Sequence, residues 1–357
     1  MNARRNPAPT IMDVARHAQV SMKTVSRVLN NEPNVVPAMQ ERVMASVRAL
    51  GYKPNLHARS LARSRSSLLG LLYYASSANF VMGLQRGATA RCRALGYHLV
   101  VEQLDDSGAQ MQAQLQHMLT ALRPDGLILA PPACDSREVL QMLADAHTPC
   151  VRISPGFKQT GLGCVSIDDH HAAEAMTAAL LALGHRRIGY ITGNPGQIAA
   201  PRRLAGHRAA LQAHGVPLDD RLVVTGDFTF PSGLAGGAQL LAVEPRPTAI
   251  IAANDDTALG AMAAAQQQGL RVPQDVSIAG FDDGPLASLV WPRLSTVRQP
   301  VVEMAEAAVD LLVSRPTPPG KRPGAGDDAA LALLDDANAD LVLPYELVLR
   351  DSTARPG

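Results

Sequence analysis

Met22, Lys23, Ser26 and Arg27 are the first group in this 357-residue chain whose types and spacing carry a chemistry. Positions three and four apart share a helix face, so 22 with 26 and 23 with 27 would project together. Lys and Arg suit guanine O6 and N7, and Met can touch a thymine methyl, which is what a helix reading the major groove needs. A second group lies far downstream: Arg203, Asn254-Asp255, Asp282-Asp283 and Gln299. One arginine, two carboxylates and two amides can hold a polyhydroxylated ligand through paired hydrogen bonds. Phe228, in Gly226-Asp227-Phe228, supplies an aromatic face for the apolar side of a sugar ring. Taken singly, each of these residues is more often a helix cap, a turn former or a core ring.

The elements that must position the first group are short helices. Thr10 with Asp13 three residues on is a capping-box pattern, so a helix begins near Ile11, buries Val14, Ala15 and Ala18, and ends at Gln19-Val20. Ser21 then caps a second helix with Val25, Val28 and Leu29 on its apolar side. A third runs from about Pro37 to Leu50, with Val43, Val47 and Leu50 inward and Gly51 as its stop. The segment Leu56 to Arg63 is too short and too charged to hold a helix alone, and reads as one that orders on a partner.

Buried apolar strands alternating with amphipathic helices are expected to position the second group. They run at Leu68–Tyr73, Tyr97–Glu102, Gly126–Ala130, Cys150–Ile153 and Val165–Ile167, then at Arg187–Thr192, Ala249–Ala253 and Val276–Phe281. Two doubly wound lobes follow, with a site at the C-terminal strand ends. Asn254 and Asp282 fall at such ends.

Composition narrows the classes. At 46% apolar and 18% charged residues the chain is an ordinary globular one, too long for a single core. No apolar run approaches the roughly 20 residues that cross a bilayer, and Met1 to Pro9 lacks an apolar stretch, so a cytoplasmic protein is expected. The four cysteines stand singly, so neither a metal nor a redox site is expected, and no cofactor. Residues 1 to 65 hold eleven Lys or Arg against three acids, so the overall +1 conceals a basic head of +8 on an acidic body of −7. That asymmetry points the head alone at a polyanion. Tyr73-Tyr74-Ala75-Ser76-Ser77 offers no phosphate-cradling glycines and no nucleophile–base pair stands out, which argues against an enzyme. A transport-type binding protein would require a signal sequence and no basic head.

The run TIMDVARHAQVSMKTVSRVLNNEPNV and then ALGYKPNLHARSLA resembles the head and hinge of the lactose-repressor (LacI/GalR) family. ALGHRRIGYITG, RRLAGHRAAL, AANDDTALGAM, GLRVPQDVSIAGFDD and PRLSTVRQP resemble that family's periplasmic-binding-protein-like sensor. The resemblance implies an all-α helix-turn-helix head plus a two-lobed α/β sensor domain, in a homodimeric regulator of double-stranded, pseudo-palindromic operator DNA. By it, Met22, Lys23 and Arg27 read bases, and Ser21, Thr24 and Ser26 contact phosphates or base edges. Asn55 to Ala62 becomes a hinge helix in which Leu61 wedges a minor-groove step and Ala58 permits close approach. Arg203, Asn254 and Asp282 match ligand contacts, as do Phe228, Gln299 and Asp168 or Asp169, while Tyr74, Asn79 and Phe80 face the cleft from the other lobe. Implied partners are the operator and a small-molecule effector, a sugar by the family's habit, and no membrane.

The expected domains are a head over 1–53, a hinge helix over 54–66 and an effector domain over 67–357. Its first lobe is about 67–184 and 299–315, its second about 185–298 and 341–350, with a Pro- and Gly-rich flexible insertion at 316–340. The final run LPYELVLRDSTARPG carries no leucine heptads, which favours a dimer over a tetramer. Two departures from the family pattern bear on the head. Gln19 stands where a turn glycine is usual, and Val36 replaces the hydroxyl cap of the third helix, with Pro37 fixing its first turn.

Overall fold

The computed structural model describes residues 9–29, 35–52, 66–74, 78–105, 108–157, 159, 161–314 and 340–357. The expected hinge contacts Asn55, Ala58 and Leu61, and the expected insertion up to residue 339, lie outside them. The chain divides into two compact units, Met1–Ser66 and Ser67–Gly357.

In the head, α1 (Ile11–Ala18), α2 (Met22–Leu29) and α3 (Pro37–Leu50) surround one small core of Val14, Ala15, Ala18, Val25, Val28, Val43 and Tyr52. Thr10 and Asp13 form a reciprocal capping box at the start of α1. Gln19 ends that helix in the left-handed region, at φ 52°, and its backbone N–H reaches the carbonyls of Ala15 and Arg16. A side chain there meets the steric cost that glycine avoids. Val36 gives α3 no side-chain cap, and Pro37 occupies the first turn, where its missing N–H leaves no donor unmet.

The body holds two parallel sheets. The first has six strands in the order β11-β5-β4-β3-β1-β2: β1 (Leu68–Tyr73), β2 (His98–Gln103), β3 (Gly126–Leu129), β4 (Cys150–Ile153), β5 (Gly163–Ser166) and β11 (Asp340–Val342). The second has four in the order β7-β6-β8-β9: β6 (Ile188–Ile191), β7 (Val223–Val224), β8 (Ala249–Ala252) and β9 (Ser277–Ala279). A two-stranded antiparallel ribbon pairs β10 (Thr296–Arg298) with β12 (Glu346–Val348). The central strands β3, β4, β6 and β8 are buried along their whole length, as strands covered by helices on both faces must be.

One boundary differs from the sequence reading. Residues 341–350 were expected to lie together in the second lobe, yet Leu341 pairs in parallel with Val165 at the edge of the first sheet. Asp340, placed by sequence in the insertion, opens that strand. The chain therefore leaves the first lobe after Val342 and reaches the ribbon at Glu346, with Tyr345 between them donating to or accepting from His171 Nδ1 at 2.7 Å. A three-residue edge strand is too short for alternation to reveal.

Four helices matter to the site: α4 (Ala78–Leu95), α7 (Asp169–Ala182), α8 (Ala199–Ala213) and α10 (Asp255–Gln267). The backbones of α7 and α8 pack closely, because Gly206 lets α8 approach α7: a Cβ there would stand 2.0 Å from the His170 carbonyl oxygen. Substituting Gln19→Gly is expected to relieve roughly 1 kcal/mol of backbone strain. In a calorimetric scan of the whole chain this raises the head transition by roughly 4 to 8 °C; an unchanged or lower midpoint would contradict it.

Candidate functional site

Arg203, on the second turn of α8, is the centre of the downstream group and only 5% exposed. Its Nε donates to Asp169 Oδ1 at 2.8 Å and its Nη1 to the Ala253 carbonyl at 2.5 Å. The guanidinium lies 3.6 Å over the Phe281 ring, with the Phe228 ring 6.0 Å away. At 3.8 Å from Nη1, the Asp282 carboxylate is attracted without being hydrogen-bonded. These partners come from the start of α7, the end of β8 and the end of β9, so the C-terminal strand ends of the second sheet converge on one buried cation.

The remaining predicted residues are arranged around it. Gln299 is buried and donates from Nε2 to Asp282 Oδ1 at 2.6 Å. Asn254 caps α10 by accepting from the Thr257 N–H, while its Nδ2 donates to the Phe228 carbonyl at 2.9 Å. Phe228 lies against Gly193, where a Cβ would stand 2.0 Å from the ring's Cζ, and only glycine leaves that room. Phe228, Asp282 and Asp283 all hold positive φ, at 71°, 121° and 56°. Such backbone costs about 1 to 3 kcal/mol per residue and persists where surrounding contacts over-determine it.

The two adjacent aspartate pairs are sorted by geometry. Asp168 is exposed and caps α7 by accepting from the His171 N–H, whereas Asp169 is 2% exposed and holds Arg203. Asp282 turns toward Arg203, and Asp283 turns away to Arg298 and Arg350 at 2.7 and 2.6 Å. From the first lobe, Asn79 donates through Nδ2 to Asp256 Oδ1 at 3.0 Å, the contact that joins α4 to α10 across the cleft. Tyr74 and Phe80 are half-buried against the first lobe's core, Tyr74 at the C-terminal end of β1 and Phe80 in the first turn of α4.

Sequence reasoning missed Phe281, the Ala253 carbonyl and Asp256. Phe281 precedes Asp282, and both it and Asp256 were visible only as neighbours of residues already singled out. Also missed was Arg152, 1% exposed, which donates to the Cys134 and Phe157 carbonyls and to Asp135, fixing the loop after β4. In that loop the Gly156 carbonyl accepts from Arg202 Nη2 of α8 at 3.5 Å, a second contact across the cleft. A small surface cavity lined by Arg186, His207, Leu211 and Asp219 lies apart from this cluster.

Burial raises the Asp282 carboxyl to about 7, opposed by the Arg203 charge and the Gln299 hydrogen bond and reinforced by Asp256 and Asp169. Burial, with Asp282 nearby, likewise pushes Asp255 well above the ordinary carboxylate range. Asp255 is held by the Thr296 hydroxyl at 2.6 Å and the Gly284 N–H at 2.7 Å.

In the head, Met22 and Lys23 are exposed at the start of α2, with Ser26 and Arg27 half-buried one turn on. The Ser21 hydroxyl accepts from the Thr24 N–H at 3.1 Å and bonds the Thr24 hydroxyl at 2.9 Å, so Ser21 caps the helix. Among the described residues, no helix is long and apolar enough to cross a membrane, and no group of three His, Cys, Asp or Glu is placed to hold a metal ion.

Comparison with known proteins agrees with both regions. The profile of the bacterial regulatory proteins of the lacI family matches residues 10–55, and that of the periplasmic binding protein-like domain matches residues 177–353. The chain is 36% identical to the ribose operon repressor of Haemophilus influenzae, over 86% of this chain and 91% of that protein. It is 34% identical to catabolite control protein A of Priestia megaterium, over 85% and 91%. The lac repressor dimer bound to operator and the anti-inducer ONPF superposes with a TM-score of 0.77 at 28% identity, over 97% and 99% of the two chains. A CelR–cellobiose complex superposes at 0.69 with 31% identity, over 96% and 99%. A helix-turn-helix head carried with a two-lobed sensor defines a DNA-binding transcriptional regulator. The chain belongs to the lacI family of bacterial regulatory proteins.

The raised Asp282 carboxyl sets a pH dependence. Its proton stabilises the fold fully below the ordinary value of 3.8, and that contribution is lost as pH rises through about 7. Asp282→Asn imitates the protonated form, so the wild-type chain should lose melting temperature relative to the variant between about pH 4 and about pH 7. A difference that stays constant over that range would contradict the assignment.

Proposed function

We propose that this chain represses carbohydrate-utilisation genes, gripping a pseudo-palindromic operator as a homodimer and leaving it when a small sugar occupies the cleft at Arg203. The observation that carries the reading is the buried guanidinium itself, with Asp169, Asp282, Asn254, Gln299 and Phe228 about it. Polar groups set beside an aromatic ring suit a sugar, whose edges bond and whose faces stack. The names of the ribose operon repressors, at 36% identity, make ribose the first sugar to test.

Met22, Lys23 and Arg27 are assigned to bases, and Ser21, Thr24 and Ser26 to phosphates or base edges, supported by their common placement on the first turns of α2. Asn55, Ala58 and Leu61 form the proposed hinge over 54–66, supported by the sequence resemblance alone. Ligand in the cleft alters how the two hinges meet, which couples the sites by roughly 1 to 3 kcal/mol. A regulatory role without catalysis is supported by relatives that are named as repressors and control proteins. Such a regulator acts in the cytoplasm, where its operator lies.

Fluorescence anisotropy on a duplex with a central CG step tests this. Specific binding should be nanomolar or tighter at physiological salt, and Lys23→Ala or Arg27→Ala should each weaken it by roughly 5- to 150-fold. Equal affinity for a scrambled duplex would refute sequence reading. Arg203→Lys keeps the charge and loses the fork, so it should abolish sugar-driven release while operator binding persists. Retention of full release would count against the cleft.

A further inference from the structure

We propose that Arg152 is a positioning residue for the pose of the two lobes, acting through the loop Ser154–Phe157 on the start of α8. The proposal concerns contacts within the chain and does not depend on which molecule the cleft takes. Arg152 lies in β4, an interior strand of the first sheet, and is 1% exposed. A guanidinium so placed is tolerable only with its charge paired and its donors met. Its Nε donates to the Cys134 carbonyl at 2.6 Å, its Nη1 to the Phe157 carbonyl at 2.9 Å and its Nη2 to Asp135 Oδ1 at 2.7 Å. The Phe157 ring covers the guanidinium at 4.3 Å. Residues 133–135 follow β3 and residues 154–157 follow β4, so one side chain ties together the exits of two neighbouring strands.

The loop is held at several points. Ser154 keeps a positive φ of 46°, a backbone that persists where surrounding contacts over-determine it. Its N–H donates to the Val165 carbonyl at 2.8 Å. The Gly156 N–H donates to both oxygens of Asp135 at 2.9 Å, so the carboxylate that pairs with Arg152 also fixes the loop backbone.

What lies against this loop belongs to the other lobe. A Cβ on Gly156 would stand 3.1 Å from the Ile198 Cβ, and the Gly156 carbonyl accepts from Arg202 Nη2 at 3.5 Å. That hydrogen bond is long and weak taken alone, so the contact needs a loop whose backbone is already in place. Ile198 precedes the first residue of α8, and Arg202 stands in its first turn beside Arg203. An arginine serving the first lobe alone would end its network inside that lobe. This one ends at the start of the helix that carries the buried cation of the second.

Hydrogen exchange of the full chain, followed by mass spectrometry without added ligand, tests the assignment. Rates are read relative to β8, whose exchange reports global opening. Arg152→Lys keeps the charge and loses the fork. It should speed exchange in 154–157 and also, by roughly 2- to 10-fold, in 198–203 of the other lobe. Asp135→Asn loosens the same hold from a partly exposed side chain and should reproduce the pattern, which keeps the test decisive if Arg152→Lys does not fold. Faster exchange confined to 154–157 would restrict Arg152 to the first lobe and overturn the proposal, as would unchanged rates in both segments. Arg202→Gln combined with either variant should change the 198–203 rate by less than the product of the separate effects, as residues acting through one contact do. A full product would put them on separate routes and also overturn it.

Discussion

A guanidinium taken out of water is the constraint on which the body of this protein is built. Arg203 is 5% exposed, and an ion so placed is tolerable only with paired charge and satisfied donors. Asp169, the Ala253 carbonyl, Asp282 and the Phe281 ring meet that demand from separate elements. Removing the cation would leave two buried carboxylates uncompensated, a loss of order 3 to 5 kcal/mol. The cluster therefore also ties α7, α8, β8 and β9 to one another. On the proposed reading, recognition and the integrity of the second lobe share the same atoms.

The cleft is bracketed by two weaker contacts between lobes, Asn79 to Asp256 and Arg202 to the Gly156 carbonyl. Single hydrogen bonds of this kind contribute about 0.5 to 1.5 kcal/mol net. That is the scale on which a ligand can shift a two-state equilibrium, since a typical coupling energy is only 1 to 3 kcal/mol. The contacts between the lobes are thus light, around a centre held by several. The strained backbone at Phe228, Asp282 and Asp283 belongs to the rigid part, where contacts with Gly193, Gln299, Arg298 and Arg350 hold it.

Local physics made most of the fold legible. Capping residues and apolar spacing located α1, α2 and α3, and continuous apolar runs located the buried strands, because those signals are strong over short spans. Gln19 shows the limit on the helical side: its type carries no signal for a left-handed turn, yet the chain adopts one there at φ 52°. The edge strand β11 was misplaced because three residues carry no periodicity. At the candidate site, residue type together with the family resemblance singled out Arg203, Asn254, Asp282, Phe228 and Gln299, which the structure gathers within one neighbourhood. Which aspartate of Asp168-Asp169 faces inward was beyond reach, since one residue's shift rotates a side chain by about 100° on a helix. The Asn79–Asp256 contact was equally hidden, joining positions 177 residues apart on different lobes.

The account stands or falls on where the sugar sits. A crystal structure of the full chain grown with the sugar that most raises its melting temperature is the most direct measurement. The account predicts density alongside the Phe228 ring and Arg203, with ligand hydroxyls within about 3 Å of the Asp169, Asn254 or Asp282 side chain. Density for the sugar elsewhere would contradict it.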